Sequence, residues 1–71
     1  MEISIVGYGA DDRVAVEKVV PPDVVAKARQ LANVPADDPD LVTAYPLTEA
    51  QARAIADVPP GFAYFLEAHA A

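Results

Sequence analysis

The chain lacks cysteine and tryptophan and has a single histidine in 71 residues. These absences exclude a disulfide framework and leave too few ligands for a structural zinc site. A domain this small without either device is marginally stable, because it buries only about 60% of its unfolded surface. Fifteen residues are alanine and contribute little buried area, so the core depends on few larger side chains. A homodimer would relieve this shortage and is one expectation.

Basic residues are also scarce. Five Lys and Arg stand against eleven Asp and Glu, which gives a formal net charge of −6. Contacts with phosphates require clustered Lys and Arg, so we expect no direct binding to nucleic acid. The same shortage disfavours an anionic membrane surface, and no apolar run approaches the roughly 18 residues of a spanning helix. The chain starts with strand-like sequence and not a basic leader, so we expect a soluble, cytoplasmic protein.

Alternating polar and apolar residues predict a β-hairpin at the start of the chain. Residues 1–8 alternate with period two and are rich in β-branched side chains. The glycines and aspartates of residues 7–12 supply the turn, and residues 14–20 supply a second strand. Pro21 and Pro22 end this strand, because neither can donate to a ladder. The predicted hairpin spans residues 2–20.

The apolar period then changes to that of a helix. One apolar stripe predicts a helix over residues 23–33. The T-x-x-Q spacing of a capping box predicts a second helix over residues 48–57. A Pro-Pro-Gly break follows, and an aromatic run predicts a strand over residues 62–67. The tail from Ala68 onwards is expected to fray.

These elements predict a single small α+β domain over residues 1–71, in the order β-β-α-α-β. A three-stranded, mainly antiparallel sheet with two helices on one face is the simplest way to bury the apolar stripes. The hydrophobic third strand is expected to lie beside the first.

No group of residues predicts a catalytic, cofactor or metal site. Gly7-Tyr8-Gly9 opens like a dinucleotide fingerprint, but Asp12 replaces the third glycine and a strand follows instead of a helix. The acidic residues of segment 37–40 lack the spacing of a calcium loop. Ser4 lies in mid-strand, and His69 in a frayed tail cannot hold the directed contact that general-base catalysis needs. We therefore expect no enzymatic activity, no cofactor and no metal.

The candidate interaction surface is the sheet face that the two helices leave uncovered. Alternation places Phe65 on this face, near Val6 and Tyr8 of the first strand. An aromatic, exposed sheet face is typical of a contact surface. The alternative is that these rings only shelter one another. The sheet edges offer a second route, through strand addition or dimerisation.

Residues 36–39, 45–52 and 64–67 read A-D-D-P, Y-P-L-T-E-A-Q-A and Y-F-L-E. This half of the chain resembles a family of small uncharacterised bacterial domains. Its members pair an amino-terminal hairpin with a D-D-P loop, a Y-P-[LV]-T-x-x-Q-A helix start and a Y-F-L-E ending. The resemblance implies the fold predicted above and brings no catalytic residues, because the family has no established activity.

The sequence thus favours a non-enzymatic interaction module that binds another protein or a second copy of itself. The charge of −6 suggests an acidic inhibitor or immunity protein that neutralises a basic partner such as a toxin nuclease. Complementary charge would accelerate that encounter. The alternative is a small-ligand or regulatory sensing domain, with a pocket between the helices and the sheet.

Overall fold

The computed structural model describes residues 2–38 and 41–69, which form a four-stranded antiparallel sheet and two α-helices. In chain order the elements are β1 (Glu2–Tyr8), β2 (Val14–Val19), a 3-10 turn (Pro22–Val24), α1 (Val25–Leu31), β3 (Tyr45–Leu47), α2 (Glu49–Ile55) and β4 (Ala63–His69). The strand order across the sheet is β2-β1-β4-β3. Among the described residues, no helix has the length and apolarity needed to cross a membrane.

The predicted α+β class, with two helices and an antiparallel sheet, is confirmed, but the predicted three strands and the order β-β-α-α-β are wrong. A fourth strand, β3, lies between the helices and makes the order β-β-α-β-α-β. It has three residues, and Pro46 in its centre lacks the N–H that a strand donates to its ladder. Sequence signals therefore disfavour a strand here, and β3 pairs with the edge that β4 offers.

Strand β1 lies at the centre of the sheet and pairs with both β2 and β4. The last strand does lie beside the first, as expected, with Ile5 opposite Leu66 and Val6 opposite Phe65. The predicted frayed tail is wrong for its first two residues. Ala68 and His69 belong to β4, where His69 pairs with Glu2. Residues 70–71 of that tail, and Met1 of the predicted first strand, lie outside the described residues.

Both helices are shorter than predicted. The first begins with the 3-10 turn and ends at Leu31, and Asn33, with a φ of 56°, takes the left-handed conformation that terminates helices. The second begins at the predicted capping box. The Thr48 hydroxyl accepts from the Gln51 N–H at 3.1 Å, and the Gln51 side chain accepts from the Thr48 N–H at 2.8 Å. This helix ends at Ile55, because the next residue is extended.

The core lies between the helices and one face of the sheet. Its buried members are Ile3, Ile5, Val20, Ala28, Ala32, Leu41, Leu47, Ala52, Ile55, Val58, Tyr64 and Leu66. The helices contribute mainly alanine, so most of the buried volume comes from the strands. Tyr64 is the largest of these side chains, and its hydroxyl donates to the carbonyl of Pro59.

Gly7 lies inside β1 and not in the hairpin loop where the sequence placed it. A Cβ at this position would stand 2.7 Å from Cε1 of Tyr64, which is closer than carbon atoms approach. The glycine is therefore required by the tyrosine ring packed against it. The packing of Tyr64 against Gly7 accounts for the glycine, so a nucleotide-binding role is not needed to explain it.

Candidate functional site

The candidate site is the sheet face opposite the helices, called the open face below. By alternation and strand register it carries Glu2, Ser4, Val6 and Tyr8 of β1, Val14, Glu17 and Val19 of β2, Pro46 of β3, and Ala63, Phe65, Glu67 and His69 of β4. The core residues of these strands alternate with them and face the helices. No helix of the described residues covers this face.

Tyr8 lies across the middle of the open face. Its hydroxyl donates to Oε2 of Glu67 at 2.6 Å, and its ring meets Phe65 edge to face, with centroids 5.6 Å apart. The register places Tyr8 and Glu67 on either side of the row that contains Val6 and Phe65. The tyrosine therefore spans this row. This arrangement explains why Val6 is only 2% exposed without a helix above it.

His69 lies across the part of the open face where β1 begins, since it pairs with Glu2. Its Nε2 stands 3.8 Å from Oε2 of Glu17 and 3.8 Å from Oε1 of Glu67. This nitrogen is shielded from solvent and has no hydrogen-bond partner among the described residues. To reach Glu17, the imidazole crosses the row that contains Ser4, which is 2% exposed. Tyr8 and His69 together cover the central strand with side chains instead of a helix.

The structure brings the three predicted residues, Val6, Tyr8 and Phe65, together on the open face, and no helix lies over the rings. Val6 is buried at 2% exposure, so only Tyr8 and Phe65 of the three present surface to a partner. Their role in binding stays a prediction. The predicted site did not include Glu67, although alternation places it on the same face as Phe65, nor did it include His69. Glu67 and His69 continue the period of two that begins at Phe65, but a position three residues from the chain end predicts fraying and hides this signal for His69.

The charge of the open face is negative. Glu2, Glu17 and Glu67 lie on it, and the register places no lysine or arginine there. The hydrogen bond to Glu67 is the main reason why the pKa of Tyr8 is raised above its usual value, and burial and the charges of Glu67 and Glu17 add to it. Val14 and Val19 flank the carboxylates and are 57% and 54% exposed. The face thus combines an aromatic centre, carboxylates and apolar margins.

Both edges of the sheet are poorly suited to strand addition. Edge strand β2 contains a bulge opposite Gly7 and Tyr8, and Lys18 points from it towards the helix side, opposite Ile5. Bulges and inward-pointing charges are devices that protect sheet edges. A two-fold pairing of β2 with its own copy, centred on Glu17, would place like charges opposite each other. The other edge, β3, is three residues long and contains Pro46. The open face is therefore the better candidate for a contact surface.

The acidic segment 37–40 has a structural role where it is described. Asp38 accepts a hydrogen bond from the Tyr45 hydroxyl and another, at 3.0 Å, from the Val42 N–H. The Tyr45 bond is the main cause that lowers the pKa of Asp38, and the same bond raises the pKa of Tyr45. Asp40 lies outside the described residues. Within residues 2–38 and 41–69, no three His, Asp or Glu side chains are arranged to hold a metal ion.

Ser4 and His69 are the residues considered above as a nucleophile and a general base. The serine is buried within the central strand, and the imidazole Nε2 is near carboxylates. At 2% exposure the serine side chain is inaccessible to a substrate in this structure, and the absence of enzymatic activity stays a prediction.

No family model, curated protein or solved structure matches the chain. The resemblance to small bacterial domains remains an expectation drawn from three short segments.

Proposed function

We propose that the protein is a non-enzymatic interaction module that docks onto a basic protein partner through its open face. The observation that carries this proposal is the combination, on one face without a helix, of the Tyr8–Phe65 aromatic pair and three carboxylates. Protein interfaces are enriched in aromatic residues at their centre and polar at their rim. A partner with an apolar centre and a rim of Lys and Arg would fit this arrangement.

A basic partner is favoured over a second copy of the chain. In a face-to-face homodimer, the glutamates of one open face would oppose those of the other, and the formal charge of −6 would double. Like charges brought together at an interface are costly. Complementary charge on a different protein would instead accelerate association. The specific form of the proposal is an acidic inhibitor or immunity protein in the cytoplasm.

The side-chain contacts on the open face also favour binding. The Tyr8 hydroxyl is held by Glu67, and the Phe65 ring by Tyr8, before any partner arrives. Immobilising a side chain at an interface costs roughly 0.5–1.5 kcal/mol, and residues that are already ordered avoid much of this cost. The aromatic pair is thus suited to be the anchor of the interface.

The test begins with capture of partners from the native host and continues with each purified partner. We expect Phe65→Ala to weaken binding at least tenfold, which is typical of a central aromatic anchor. Val42→Ala is the matched control, because Val42 is 84% exposed and lies in the loop before β3. Binding should also weaken steeply with added salt. Equal affinity of the Phe65 variant and the wild type, with both folded by circular dichroism, would reject the proposal.

A further inference from the structure

The imidazole of His69 lies between two carboxylates that belong to different strands of the open face. Glu17 comes from β2 and Glu67 from β4, and Nε2 of His69 stands 3.8 Å from an oxygen of each. Both distances are too long for a hydrogen bond, and this nitrogen has no other partner among the described residues. When the imidazole is neutral, the two carboxylates therefore have no cation between them.

The other groups around the imidazole are acidic or uncharged. Besides the two glutamates, the titratable groups that face it are Glu2 of β1, which lies opposite it in the register, and Tyr8, which donates to Glu67. Strand β3 adds only Pro46 to this face. Of the residues that the register places on the open face, His69 alone can carry a positive charge.

We infer that Glu17 and Glu67 form the subsite for an arginine side chain of the basic partner, and that protonation of His69 opposes binding there. The inference rests on the proposed function and adds to it a contact and a dependence on pH. A guanidinium has five N–H donors in a planar fork and can bind two carboxylates at once. The side chain of Glu17 is 56% exposed and that of Glu67 is 18% exposed, so a partner can reach both from the open face.

The pH dependence follows from the charge of the imidazole. A histidine ordinarily gains its proton between about pH 8 and pH 5, whereas a glutamate titrates at about pH 4.3. On acidification the two carboxylates therefore stay ionised while His69 becomes positive beside them. This internal cation repels the guanidinium of the partner, so binding should be tighter at pH 8.0 than at pH 5.8.

The experiment titrates a tetra-arginine peptide, acetylated and amidated at its ends, into the isotope-labelled protein at low salt. The charge of this peptide is the same at pH 8.0 and at pH 5.8, and the backbone amide shifts of Glu17, Glu67 and His69 report its binding. Two like charges about 4 Å apart in water repel enough to change an affinity about fivefold. We therefore expect the peptide to bind about fivefold more weakly at pH 5.8.

Two substitutions of His69 separate its charge from its structural role. His69→Gln is neutral at both pH values and should bind the peptide equally at both, with the affinity of the wild type at pH 8.0. His69→Lys is positive at both pH values and should bind equally at both, with the weaker affinity. His69→Lys decides the test if His69→Gln lowers the melting temperature.

A matched pair of variants locates the subsite. Glu17→Gln and Asp57→Asn each remove one negative charge from an exposed residue, but Asp57 follows α2 and lies outside the sheet. Glu17→Gln should weaken binding of the peptide at pH 8.0 about fivefold, and Asp57→Asn should change it less than twofold.

Four results would each overturn the inference: no binding of the peptide at pH 8.0, equal binding by the wild type at both pH values, a pH response that persists in His69→Gln, or equal affinities of Glu17→Gln and Asp57→Asn. The proposed function is judged separately, by the effect of Phe65→Ala on a captured partner at pH 8.0. A partner that needs Phe65 but shows no pH response would leave the proposed function standing and remove only the subsite.

Discussion

At the scale of single residues, the open face depends on two side chains that lie along the sheet instead of extending into water. Tyr8 is held by Glu67, and His69 lies between Glu67 and Glu17. Glu67 is thus the residue common to both contacts, and its side chain is 18% exposed. We expect the order of this face to be most sensitive to changes at Glu67.

Glu67→Gln should lower the pKa of Tyr8 towards its usual value. In the wild type, the neutral phenol donates to a carboxylate, and ionisation would place two negative charges together, so the pKa is raised. The stability contributed by this pair is present below pH 10 and is lost as the pH rises through the folded-state pKa. Absorbance at 295 nm during alkaline titration measures the change.

Tyr8→Phe identifies the transition that belongs to Tyr8 among the three tyrosines. The melting temperature of Glu67→Gln should fall less between pH 10 and 11 than that of the wild type. An unchanged tyrosine titration in Glu67→Gln would contradict the role assigned to this hydrogen bond.

At the scale of elements, the sequence predicted what local chemistry determines. The capping box at Thr48 and Gln51 is a contact between residues three positions apart, and it was found at the expected place. Strand β3 was missed because its formation depends on pairing with β4 and on the Asp38–Tyr45 contact. Neither the pairing with β4 nor the contact with Asp38 can be predicted from the three residues of β3 alone.

The open face shows the same division between local and distant contacts. Alternation predicted that Val6, Tyr8 and Phe65 share a face, because period two is a local property. The contact of His69 with Glu17 depends on β4 pairing beside β1 along its full length. Fraying was the expectation for an isolated chain end, and tertiary pairing overrides it.

Removing the cap hydroxyl should destabilise the domain through α2. Thr48→Ala leaves the Gln51 N–H without its acceptor, and such changes cost about 1 kcal/mol. Urea unfolding followed by circular dichroism measures the loss. Val42→Ala is the control, because Val42 is 84% exposed and lies outside the helices and strands. Equal midpoints for the two variants would show that the capping box does not stabilise the fold.

At the scale of the whole molecule, charge and edge protection act together. The net charge of −6 disfavours self-association, and the bulge, Lys18 and Pro46 disfavour extension of the sheet. The small core alone would favour a homodimer, so the two effects oppose each other. We judge that the electrostatic effect prevails at low salt.

Sedimentation equilibrium over a wide range of concentrations should therefore give the mass of a monomer, 7.5 kDa, at low salt. High salt screens the glutamates and is the condition under which a dimer would first be seen. A dimer at low salt and micromolar concentration would refute the electrostatic argument and would make a second copy the better candidate for the open face.

The pairing of β1 with β4 has a consequence for how the protein folds. These two strands form the middle of the sheet, and the Tyr8–Glu67 bond joins positions 59 residues apart. During synthesis on the ribosome, the sheet cannot form completely until β4 has emerged. Until then, the edge of β1 that pairs with β4 has no partner. Pairing between strands far apart in the sequence slows folding. The negative charge of the incompletely folded chain would oppose its aggregation during this time.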